Sequence, residues 1–359
     1  MQVSDSSSIK SRIPENVRSI SPYSVPRVEC SVKLDGNESP YDLEGEEKIL
    51  LSERLAELPV NRYPDPEALG VRTSLSRTLD FPTDGISLGN GSDEIIQMIV
   101  EVFGGKSGRV LVPSPTFSMY RITSLVLGKR VTEVALDENF DIDLEPTLEM
   151  IRAEDPDIVF LATPNNPTGN SFSEEKVLEI LEASAGAVVV DEAYCDFSKK
   201  SYIPHIKKYE NLLVLRTMSK IGFAGARLGM LFARPQIVGE VNKARLPYNI
   251  NSLSQLVMSF ALENPEVIER KIDLILSERE RLRDALEQID AILVYPTDAN
   301  FFLIKVPDAD FLFTELVKND ILVRCFGEGG RLADCLRITV GTREENDSLI
   351  RALVSIFSS

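Results

Sequence analysis

Four short segments place chemically capable side chains directly after apolar runs: GNGSDEII (89–96), ATPNNPTGN (162–170), VDEAY (190–194) and TMSKIGFAGAR (217–227). Lys220 follows the run LLVL, with Ser219 before it and Gly222, Gly225 and Arg227 after it. Glycines let backbone approach a ligand closely, and an amine held partly desolvated among other cations becomes a nucleophile. A solvated lysine closing a strand is the plainer alternative. Asp191 ends the run AVVV, where a lone carboxylate is costly to bury and needs a cation. A structural arginine meets that need. So does a protonated ring nitrogen in a ligand, with Tyr194, three residues on, able to reach a neighbouring ring oxygen.

The segment GNGSDE predicts a helix N-capped by Ser92, with free N–H groups and the positive end of the dipole at Gly91, Ser92 and Asp93. A dinucleotide-binding turn would need a third, small residue where Glu94 stands. A capped helix holding no ligand stays open. Ser219 and Arg227 suit a phosphate dianion. One phosphate cradle, one buried acid and one lysine–arginine pair at separate strand ends are the parts that hold a phosphorylated pyridine aldehyde.

These side chains need strands that end at a common edge. RVLVP (109–113), VTEVAL (131–136), DIVFLATP (157–164), AVVVDEAY (187–194), NLLVLRTMSK (211–220) and LGMLFA (228–233) are continuously apolar, as strands covered on both faces are. Amphipathic helices are predicted between them, at 92–103 and 173–184 among others. The expected fold is α/β: a mostly parallel central sheet with helices on both faces, plus a smaller α+β domain. The predicted boundaries are an irregular N-terminal arm at 1–34 that packs with the small domain, a large domain at 35–246 and a small domain at 247–359. The last includes one long helical region at 253–290 and short strands in AILVYP, NFFLIKV, ILVRCF and LRITVG.

Composition removes competing chemistries. A net charge of −17 over 359 residues disfavours nucleic acid or an anionic membrane as partner. The first residues show no apolar core of a secretory signal, and no apolar run is long enough to span a bilayer. Cys30, Cys195, Cys325 and Cys335 are scattered, suggesting neither a zinc site nor a disulfide framework, so a cytoplasmic setting is expected. The single histidine, His205, lies in the polar stretch SYIPHIKKYE. A His-rich metal centre is excluded, no metal site is expected, and His205 reads as a surface-loop residue.

In chain order the motifs NVRSISPYSVPR, LDGNESPY, NRYPDP, GNGSDE, PSPTFSMY, PNNPTG, VVDEAY, RTMSKIGFAGARLG and LRITVGTREEN span nearly the whole sequence. With them the chain resembles the fold type I pyridoxal-phosphate enzymes, and most closely the histidinol-phosphate aminotransferases. The resemblance implies a covalent link between Lys220 and the cofactor, with Lys220 also shuttling the proton. It implies that Asp191 pairs with the ring nitrogen, that Asn166 and Tyr194 contact the ring's phenolic oxygen, and that Phe117 stacks on the ring. Backbone at Gly91, Ser92 and Asp93, with Ser219 and Arg227, would hold the phosphate, the Asp93 side chain turning away. Arg227 stands one residue closer to the lysine than in many members, which shifts its angle of approach.

The resemblance further implies a homodimer in which Tyr63 reaches the partner's cofactor phosphate. Arg337 would grip the amino acid's carboxylate, Arg324 a substrate phosphate or second carboxylate, and Tyr23 and Asn37 would cover the substrate. The implied reaction moves an amino group from histidinol phosphate, the small-molecule donor, to 2-oxoglutarate in histidine biosynthesis. An aromatic amino acid aminotransferase and a threonine-phosphate decarboxylase-like enzyme are the alternatives, and the loop PYNIN (247–251) bears on the choice.

Overall fold

The computed structural model describes residues 9–21, 28–327 and 329–358. Its centre is a seven-stranded sheet of β1 (Ile86–Asn90), β2 (Arg109–Ser114), β3 (Arg130–Ala135), β4 (Ile158–Ala162), β5 (Ala187–Asp191), β6 (Leu212–Thr217) and β7 (Leu228–Phe232), in the order β1-β7-β6-β5-β4-β2-β3. β7 alone runs antiparallel to its neighbours, and the other pairings are parallel.

The apolar runs form strands because both faces of the sheet are covered. Along β4, Val159 and Leu161 enter one core while Ile158, Phe160 and Ala162 enter the other. Val188 and Val190 of β5 likewise alternate with Ala187 and Val189. The helix α1 (Gly91–Phe103) covers one face by burying Ile95, Ile96, Ile99 and Val100. The core on the opposite face continues into a second, antiparallel sheet of β8 (Leu293–Val294), β9 (Phe301–Lys305), β10 (Arg324–Cys325) and β11 (Cys335–Thr339), ordered β10-β11-β9-β8.

Several predicted elements differ from those observed. Three strands predicted to run to 164, 194 and 220 stop at Ala162, Asp191 and Thr217, because the polar residues that follow leave the sheet to form turns. The long helical region is two helices, Ser252–Glu263 and Pro265–Glu287: Pro265 has no N–H to continue the first and opens the second. Within the arm, Val32–Lys33 pairs in parallel with Ile321–Leu322, while Asn16 donates to the carbonyls of Leu125 and Val126 at 2.8 and 3.1 Å. Among the described residues no helix is long and apolar enough to cross a membrane.

Candidate active site

Because β1, β2, β4, β5 and β6 run the same way, the segments following them emerge at one edge of the sheet. There a cavity of about 480 Å³ opens, walled on the other side by residues of β10 and β11.

Asp191 closes β5 at the cavity floor and is 4% exposed. Its Oδ2 accepts from the Tyr120 hydroxyl at 2.7 Å and its Oδ1 from the Ala193 N–H at 3.0 Å. Burial pushes its carboxyl up to about 6. No cation pairs with it among the described residues. The arginine that could have served as a structural partner goes to the next residue instead: Arg216 binds the buried Glu192 through Nε and Nη2, both 2.9 Å from Oε2. Successive strand residues point to opposite faces, so the acid facing the cavity keeps its charge unanswered.

Lys220 lies beyond β6 and lines the same cavity, its Nζ 5.8 Å from the centre of the Tyr194 ring. The Tyr194 hydroxyl accepts from Asn37 Nδ2 at 2.9 Å. Asn37 is buried in a left-handed conformation, its N–H donating to Thr339 Oγ1. Asn166 accepts from Arg337 Nη1 at 2.6 Å, and a second Arg337 nitrogen reaches the Asp35 carbonyl. Arg324 stands opposite Arg337 across the β10–β11 pair, and both line the cavity.

The helix α1 starts at Gly91 with Asn90, not Ser92, at the cap position. The Glu94 carboxylate does the capping, accepting from the Asn90 N–H at 2.7 Å, which accounts for an acid at this place in the turn. A Cβ on Gly91, whose φ is +73°, would lie 2.5 Å from Arg227 Nη2. One on Gly229 would lie 2.4 Å from the Gly91 backbone carbon. Only glycines allow this approach. The Asp93 side chain, expected to turn away, pairs with Arg227 at 3.2 Å, both half-exposed. Ser92, Phe117 and Ser219 also line the cavity. Thr217 Oγ1 fixes Ser219, lying 2.9 Å from its hydroxyl and accepting from its N–H at 3.2 Å.

The cavity thus gathers Lys220, Asp191, Tyr194, Asn166, Phe117, Gly91, Ser92, Asp93, Ser219, Arg227, Asn37, Arg324 and Arg337. Tyr63 lies apart, 81% exposed and stacked on Tyr248 of the 247–251 loop at 4.5 Å. Tyr23 falls outside the described residues. His205 lies in a surface turn, 3.1 Å from Glu174. Tyr120, Thr217 and the Glu192–Arg216 pair were not anticipated. Tyr120 stands in the segment PSPTFSMY, but its partner is 71 residues away and is identified only by the fold. Pyridoxal phosphate fits these residues: a buried carboxylate without a cation faces the cavity, and glycines keep the cradle beside Arg227 open.

A family model described as aminotransferase class I and II matches residues 32–353. Histidinol-phosphate aminotransferase 2 of Nitrosococcus oceani is 45% identical over 345 residues, covering 95% of this chain and 96% of the relative. Histidinol-phosphate aminotransferase of Aquifex aeolicus is 41% identical, covering 95% and 97%. The crystal structure of histidinol-phosphate aminotransferase from Clostridium acetobutylicum superposes with a TM-score of 0.83 at 27% identity, covering 91% of this chain and 99% of that one. The Sinorhizobium meliloti histidinol-phosphate aminotransferase, in complex with pyridoxal-5'-phosphate, shares the fold with a TM-score of 0.88 at 23% identity, covering 97% and 98%.

Proposed function

The chain belongs to the class I and II aminotransferases, and we propose that it transfers the amino group of histidinol phosphate to 2-oxoglutarate with pyridoxal phosphate as cofactor. The observation that carries the substrate reading is the pair Arg324 and Arg337, set opposite each other across two antiparallel strands in the cavity wall. Like charges so placed repel, and a bound anion turns the repulsion into binding. The donor brings a phosphate and the acceptor two carboxylates, so the same two arginines serve both halves of the reaction.

Bound pyridoxal phosphate supplies an aldehyde for covalent capture of an amine and a ring that accepts electrons. The chain supplies the rest. Asp191 would hold a positive ring nitrogen, an interaction strengthened by its burial. Gly91, Ser92 and Arg227, with Ser219, would hold the phosphate. Lys220 Nζ offers an amine, and a base able to take and return a proton at the substrate's reacting carbon. Asn37 orients the Tyr194 hydroxyl, and Asn166 is held by Arg337, so substrate grip and ring contacts are mechanically joined.

The proposed assembly is a homodimer with shared sites. Tyr63 (81% exposed) stacks on Tyr248, and the chain within three residues of this pair exposes Val60 (83%) and Leu246 (69%). A cytoplasmic setting accords with four free cysteines. The test of the reaction is an absorbance titration of the loaded protein with histidinol phosphate, glutamate, phenylalanine and tyrosine. Histidinol phosphate and glutamate should each bleach the near-visible band and yield keto products. A response to phenylalanine and tyrosine without one to histidinol phosphate would establish the aromatic alternative. Release of carbon dioxide in place of a keto acid would establish a decarboxylase.

A further inference from the structure

We propose that Tyr120 is a positioning residue that keeps Asp191 ionised and aimed at the cofactor's ring nitrogen, and so sets how strongly the ring withdraws electrons. The inference rests on the pyridoxal-phosphate reading.

The Tyr120 side chain is fully buried in the first turn of the helix Ser118–Val126. Its hydroxyl donates to Asp191 Oδ2 at 2.7 Å, while the other carboxylate oxygen has the Ala193 N–H. The ring cannot swing away: it stacks on Phe160 at 4.7 Å and 4°, and meets Phe117 edge-on at 5.5 Å. Phe117 is the cavity residue expected against the cofactor ring. One tyrosine thus braces both the face and the nitrogen end of the ring site.

The direction of the effect follows from where the proton resides. Asp191 and a ring nitrogen share one proton, either as carboxylate and pyridinium or as carboxylic acid and neutral pyridine. A phenol donating to Oδ2 stabilises the carboxylate and therefore the pyridinium. The charged or titratable groups that act on Asp191 and Tyr120 are Asp93 and Glu192, which disfavour ionisation of Asp191, the buried Cys195 thiol, whose own ionisation Asp191 opposes, and Tyr194, which acts on Tyr120; Glu192 is already neutralised by Arg216. Lys220, on the neighbouring strand end, faces Tyr194. Among the described residues, Tyr120 is the one side chain that donates to Asp191.

The test loads the protein with cofactor labelled with nitrogen-15 in the ring and reads the nitrogen chemical shift. Tyr120→Phe should move the signal toward neutral pyridine and lower kcat about tenfold with KM nearly unchanged, the scale of one hydrogen bond to a charged group. Phe160→Leu removes the stack but leaves the hydroxyl, and it should move the nitrogen signal much less than Tyr120→Phe does. A wild-type signal in Tyr120→Phe, or an equal shift in Phe160→Leu, overturns the proposal. Should Tyr120→Phe retain no cofactor, a carbon-13 titration of Asp191 in the cofactor-free protein decides: its midpoint must rise by about one unit, and no rise refutes the hydrogen bond's role. Failure of the cofactor reading itself looks different, since wild-type protein would then develop no near-visible band with pyridoxal phosphate.

Discussion

Two adjacent acids, Asp191 and Glu192, meet opposite fates within one strand end. Glu192 is answered by Arg216, the Ser201 hydroxyl and the Tyr202 N–H, whereas Asp191 has only neutral donors. In the cofactor-free protein burial raises the Asp191 carboxyl from 3.8 to about 6. A raised acid means that the folded chain holds a proton the unfolded chain has lost, so this residue's contribution to stability falls as pH rises from about 4 to about 6. Asp191→Asn carries no such charge. Cofactor-free Asp191→Asn should therefore gain on wild type across that window, by on the order of 3 kcal/mol at neutral pH, while binding pyridoxal phosphate far more weakly. Denaturant unfolding of both proteins at pH 4.5 and 7.5 checks this; a stability difference independent of pH would refute it.

At the scale of elements, the cradle depends on β7 lying against the start of α1 with no side chain between them. Gly229→Ala would press a methyl group onto the Gly91 and Ser92 backbone. It should cost about 1–3 kcal/mol of stability and weaken cofactor affinity, read by thermal unfolding and absorbance titration. Gly239→Ala, in the helix Pro235–Val241 with open space around the added carbon, is the control and should weaken neither. These elements differed in how much of them could be read from sequence. Lys220 and Asp191 were legible because a charged residue at the end of an apolar run has few reasons to be there. The sheet was legible because its strands are apolar without interruption. Contacts that depend on register were not. Which of two neighbouring acids meets Arg216 depends on how β5 lies against β6, and a one-residue slip exchanges them. Tyr120 was hidden for the same reason, since an aromatic residue in an amphipathic helix reads as core. The break at Pro265 is masked in the sequence because the apolar pattern continues on both sides of it.

For the whole molecule, the sharpest expectation concerns assembly. If Tyr63 completes the partner's site, mixing inactive Lys220→Ala with Tyr63→Ala should restore function in mixed dimers, each of which holds one intact site. Random pairing makes half the dimers mixed, so activity should recover to about a quarter of wild type; activity equal to the average of the two parents would show that the sites are not shared. A different consequence follows from the way Asn37 is held. It lies between the Tyr194 hydroxyl and Thr339, and its backbone is locked only when the last strand of the small sheet is in place. Asn37 and Thr339 are separated by 302 positions. On the ribosome the order is therefore fixed: the strands of the central sheet, complete by Phe232, leave the exit tunnel well before Arg337 and Thr339 arrive to hold Asn166 and Asn37. A nascent chain passes through a stage in which the strand ends around Asp191 and Lys220 have emerged but the side chains that hold Asn37 and Asn166 have not.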